Sequence, residues 1–89
     1  MSVYIFVYSN SIGDRDTVKA ALEAMPEVLR WRYDIPNCFY LISDFTAEDL
    51  TESLLKQLSS ESKRFLIMEV SKNRQGYLSK DTWDFLRGE

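Results

Sequence analysis

The chain is predicted to be one α+β domain with the element order β-α-β-β-α-β and a short C-terminal extension. Three observations carry this. Apolar residues recur at helical spacing in two stretches, β-branched and aromatic runs flank each stretch, and turn residues join the second and third runs. At 89 residues, 45% of them hydrophobic and 28% charged, the chain suits one core spanning 1–89 and excludes a second. A domain this short buries only about 60 to 65% of its unfolded surface, so an apolar face covered by a partner is expected.

The first strand is Val3 to Tyr8, where every residue is β-branched or aromatic, the composition of a strand buried on both faces. Ser9 to Gly13 is a polar turn, and Asp14 is placed to cap a helix whose Val18, Ala21, Leu22 and Met25 fall on one face. Pro26 closes that helix. From Val28 to Tyr33, Arg30 and Arg32 alternate with Leu29, Trp31 and Tyr33, the period of a half-buried edge strand. Asp34-Ile35-Pro36-Asn37 turns the chain into Cys38 to Ser43, whose apolarity predicts a central strand.

Thr46 with Asp49 approximates a capping box ahead of Leu50, Leu54 and Leu58, with Leu55 widening the stripe. Ser59 to Ser62 forms a polar break before a fourth strand at Arg64 to Val70. After a polar loop, Ser79 caps a last helical turn that carries Trp83, Phe85 and Leu86 up to Gly88. With right-handed crossovers this order predicts a ferredoxin-like sandwich: a four-stranded antiparallel sheet of order 4-1-3-2 with two helices on one face.

Several chemistries are excluded by residue supply. The chain has no His and one Cys, Cys38, so it cannot build a Cys/His zinc cluster, a Ser-His-Asp triad or a Cys-His pair by itself. A lone thiol in an apolar run reads as a core residue and fits a reducing cytoplasm. The N-terminal run lacks a basic flank and is too short to span a bilayer, so neither secretion nor membrane insertion is expected. A net charge of −3 repels polyanions on average and disfavours nucleic acid as a partner.

Three stretches carry a family likeness: Tyr4 to Ser9, Trp31 to Leu41, and Thr82 to Leu86. Together they resemble the SinR-like small proteins and, more distantly, the ferredoxin-fold endonucleases of CRISPR adaptation. The resemblance implies a cytoplasmic prokaryotic or phage domain, commonly dimeric through helix-free sheet faces. In the CRISPR-adaptation family the first strand ends in an Asp to which metal-dependent phosphodiester cleavage is attributed. Here that position is Ser9, a neutral hydroxyl poorly suited to a hard divalent cation. The resemblance therefore implies a non-catalytic interaction or regulatory module, with no catalytic residue, metal or cofactor. The alternatives are a metal-dependent endonuclease of RNA or DNA and an aromatic-sheet nucleic-acid binder.

Three groups of residues are candidates for function. Ser9, Asn10 and Asp14 form a polar cluster after the first strand, in which Asp14 has a sufficient role as a helix cap. Arg30, Arg32, Arg64, Lys72 and Arg74 are candidate phosphate contacts, although charges on edge strands also discourage aggregation. Tyr4, Phe6 and Tyr8 share one side of the first strand and are the candidate dimer or base-stacking face. The apolar tail around Trp83 must be buried, either in its own core or across a dimer.

Overall fold

A computed structural model describes residues 1–59 and 63–88. Its elements are β1 (Ser2–Tyr8), α1 (Arg15–Glu23), β2 (Arg30–Tyr33), β3 (Cys38–Ser43), α2 (Ala47–Gln57), β4 (Phe65–Glu69) and α3 (Lys80–Leu86), with a 3-10 turn at Asn10–Ile12. The strands form one antiparallel sheet ordered β2-β3-β1-β4, which counted from the other edge is β4-β1-β3-β2. β1 and β3, the strands without charge, lie inside. Beyond Ser59, the polar break expected before β4 lies outside the described residues.

Local chemistry sets the element ends. Asp14 caps α1 by accepting the Thr17 amide at 2.8 Å. Thr46 and Asp49 close a reciprocal capping box on α2, at 3.1 Å and 3.4 Å. Asn37 turns the β2–β3 hairpin with a φ of 60°, a conformation that Asn tolerates better than most residues. β2 is shorter than its sequence period predicts, because Val28 donates back to the Met25 carbonyl and only Leu29 onward bonds to β3.

Two apolar layers flank the sheet. On one side Tyr4, Phe6 and Tyr8 of β1 pack with Phe39 and Leu41 of β3 against Val18, Ala21 and Leu22 of α1 and Leu50 and Leu54 of α2. Rings dominate this layer: Phe39 lies 6.4 Å from Phe6, 6.1 Å from Tyr8 and 4.9 Å from Tyr33 between centroids. On the other side Cys38, Tyr40 and Ile42 pack against Phe85 and Leu86, with Val3, Ile5, Leu78 and Trp83 at the margin. The C-terminal segment thus packs within its own chain.

The aromatic side of β1 is not the expected dimer or stacking face. Tyr4, Phe6 and Tyr8 are at most 6% exposed and lie beneath α1 and α2, so they form neither a dimer face nor a stacking platform. Period-2 alternation separates two faces but does not say which one the helices cover.

A hydrogen-bonded knot seats α3 on the sheet. The Thr82 hydroxyl, fully buried, donates to Asp34 Oδ2 at 2.6 Å and accepts from Arg32 Nε at 2.7 Å. Ser79 Oγ lies 3.0 Å from the same oxygen, and because the single Thr82 proton goes to Asp34, Ser79 is the donor there. Ser79 Oγ also accepts the Thr82 amide at 3.2 Å, which caps α3. Arg30 adds a stacking contact, its guanidinium carbon 5.0 Å from the Phe85 ring centroid.

Thr82→Val keeps the shape of the side chain but strips Asp34 and Arg32 of their shared partner. Denaturant unfolding should show a loss of about 2 kcal/mol, and thermal unfolding a Tm lower by roughly 10 °C. Thr82→Ser should lose much less. The Tyr8 hydroxyl is buried beside the Tyr33 phenol but makes no hydrogen bond of good geometry among the described residues. Tyr8→Phe should therefore stabilise the protein by about 1 kcal/mol in the same measurement.

Candidate functional site

The polar turn after β1 is built from caps. Ser9 Oγ accepts the Ser11 amide at 3.2 Å and starts the 3-10 turn, while the Ser9 amide donates to the Arg64 carbonyl at 3.0 Å. Asn10 Oδ1 accepts from the Asn37 side-chain amide at 2.7 Å, tying this turn to the β2–β3 hairpin. Gly13 follows with a φ of 138°, and a Cβ there would stand 2.8 Å from Thr17 Cγ2, so only glycine fits between the turn and α1. The chain thus brings Ser9, Asn10 and Asp14 into one segment and gives each a structural partner.

The electrostatics of the turn agree with capping. Hydrogen bonds from Thr17, backbone first and side chain second, hold the Asp14 carboxyl below its ordinary value. No group of three Cys, Asp or Glu side chains among the described residues is arranged to hold a metal ion. Cys38 is buried, and that burial raises its thiol pKa. Burial, followed by the neighbouring Cys38 and Asp34, pushes the Tyr40 phenol up to about 12. Neither Cys38 nor Tyr40 is poised for proton transfer near neutral pH.

The candidate phosphate contacts do not form one track. Arg30 and Arg32 lie on β2, whereas Arg64 and Lys72 flank β4 at the opposite edge, three strand spacings or about 14 Å away. Arg32 is committed to Thr82 and also reaches Ser79 Oγ at 3.4 Å. Arg74 donates to the Ser71 carbonyl at 3.1 Å and to the Leu86 carbonyl at 3.5 Å, bracing the loop against α3. Lys72 and Arg74 do share an open cavity of about 710 Å³ with Arg87, Glu69 and Val3. Lys63 and Arg64 border a separate groove of about 570 Å³ with Ser9.

One surface feature was not among the sequence candidates. α3 covers the β2–β3 half of its sheet face, Val3 and Ile5 of β1 pack at its margin, and the outer part of the face toward β4 stays open. Register places Ile5 opposite Met68 and Val7 opposite Leu66 on that side. Leu66 is 52% and Met68 54% exposed, and Val7 is also exposed. The signal lay in the alternation of β4, where Leu66 and Met68 flank Ile67, but the covered face could not be chosen from it.

The Asp14 cap has a pH signature. Its folded pKa is depressed, so its contribution is complete above the ordinary value of 3.8 and is lost as pH falls through the lower folded value. Asp14→Asn keeps a capping oxygen without the titration. Unfolding curves recorded across acid pH should show a wild-type advantage over Asp14→Asn that is constant near neutrality and vanishes on acidification. Compared with protein-family models, curated proteins and solved structures, the chain matches none.

Proposed function

We propose that this chain is a non-catalytic interaction or regulatory module of ferredoxin-like type that acts as a homodimer in the cytoplasm, as the resemblance to SinR-like proteins implies. The observation that carries this is the apolar strip of Val7, Leu66 and Met68 beside a sheet face that is otherwise covered. Large apolar side chains cost roughly 2 kcal/mol each when left in water, and contiguous exposed patches mark interaction surfaces. A monomer has no internal means of covering this strip, since α3 is locked over the other half by the Thr82 knot.

The polar turn supports the non-catalytic part. Phosphodiester cleavage by a bound metal needs carboxylates that fix the ion and place the attacking water. At the end of β1 the side chains are a serine, an asparagine and a capping aspartate, each with a hydrogen-bond partner. The dispersal of Arg30, Arg32, Arg64, Lys72 and Arg74 supports a protein partner over a nucleic acid.

Two measurements test the proposal. Sedimentation velocity at tens of micromolar should give a dimer, and a monomer would overturn the self-association. Incubation with single- and double-stranded RNA and DNA in Mg²⁺ or Mn²⁺ should give no cleavage. Metal-dependent cleavage that disappears in Asp14→Ala would replace the module with a nuclease that uses a displaced carboxylate.

A further inference from the structure

β4 lies at the end of the sheet, and its backbone parity can be read from two bonds. Val70 donates to the Val3 carbonyl at 2.8 Å, and Ser9 donates to the Arg64 carbonyl at 3.0 Å. Antiparallel ladders alternate bonded and non-bonded pairs. With β1 and β4 in the register Tyr4 to Glu69 and Tyr8 to Phe65, Arg64, Leu66, Met68 and Val70 turn their amides and carbonyls inward to β1. Phe65, Ile67 and Glu69 turn theirs outward, and they have no backbone partner among the described residues.

This edge lacks the usual protection. No Lys, Arg or Pro stands within Phe65–Glu69, whereas the other edge, β2, alternates Arg30 and Arg32. The β4 edge is also self-complementary. The residues leading into the strand, Lys63 and Arg64, are basic, and the strand itself ends on the acidic Glu69. An antiparallel copy sets basic end against acidic end, and a parallel copy would set like on like.

We infer that a second copy of this chain pairs antiparallel along β4, with Ile67 of both copies on the two-fold axis. This rests on the self-association proposed above and names its surface. In that register Ile67 bonds to its own counterpart and Phe65 bonds to the partner's Glu69, so every outward amide and carbonyl of β4 is satisfied. The alternating non-bonded positions set Leu66 beside the partner's Met68, twice, on the uncovered face. Those are the two half-exposed apolar side chains of the strand. Lys63 lies diagonally across from the partner's Glu69, within reach of a long side chain. The two sheets become one of eight strands. Because the strand is short, the interface belongs to the small, transient class, below about 1,200 Å².

Cross-linking tests the register. Leu66→Cys and Met68→Cys variants are purified separately, mixed at tens of micromolar and oxidised mildly. Both positions are exposed, so both variants should fold, and the buried Cys38 should stay out of the reaction. The mixture should form a disulfide between Leu66→Cys and Met68→Cys chains, and neither variant alone should do so. Self-linking by Leu66→Cys would overturn the Ile67-centred register. Glu69→Pro deletes an outward amide from each copy without touching the bonds to β1. It should weaken dimerisation about tenfold or more while leaving circular dichroism and Tm near those of the wild type. A dimer seen by sedimentation that neither cross-links in the mixture nor responds to Glu69→Pro would overturn the β4 pairing and leave self-association standing. A monomer at these concentrations would overturn both.

Discussion

The Thr82 hydroxyl holds the position on which the outer surface of this domain depends. It has one proton and two lone pairs, and the knot uses all three, with Asp34 accepting and Arg32 and Ser79 donating. Those partners come from β2, from the turn after it and from the cap of α3, so one buried atom joins three parts of the chain. A knot satisfied in this way specifies one seat for α3, because any sliding of the helix would leave a carboxylate or a guanidinium short of a bond.

From that seat the rest of the outer face follows. Phe85 and Leu86 descend onto Cys38, Tyr40 and Ile42, Val3 and Ile5 of β1 pack at their margin, and Val7, Leu66 and Met68 stay exposed. The opposite face has no such asymmetry, since α1 and α2 between them bury the aromatic residues of β1 and β3. The exposed strip is thus a consequence of where α3 is pinned. The same knot removes Arg32 from any role toward an anionic ligand, and the Phe85 ring engages Arg30. Surface chemistry and packing are therefore settled together.

The segment after β1 illustrates how polar residues are consumed by backbone needs. A strand that ends in a 3-10 turn and restarts as a helix exposes amides at both starts, and Ser9 and Asp14 satisfy them. Asn10 spends its carbonyl oxygen on Asn37, and Gly13 supplies the one backbone conformation that lets the segments meet. Little is left to bind or activate a ligand. Such a turn serves the fold.

The alternation of β2 and the helical spacing of Val18 to Met25 and Leu50 to Leu58 were legible because they are local: each element declares its own period and caps within about a dozen residues. The interior strands were legible too, because a strand without charge cannot sit comfortably at an edge. The candidate site was legible only as residues. Asp14 announced its capping role while Ser9 was legible only as a turn residue, and the division of the five cations among separate places depends on which strands become neighbours. Sequence by itself thus determined the elements, the helix caps, the absence of histidine chemistry and the single thiol. Tertiary structure alone decided which side of β1 the helices cover, where α3 is pinned and which edge of the sheet stays open. Those outcomes rest on contacts between residues 50 or more positions apart, such as Arg32 with Thr82 and Val3 with Val70, and no local period encodes them.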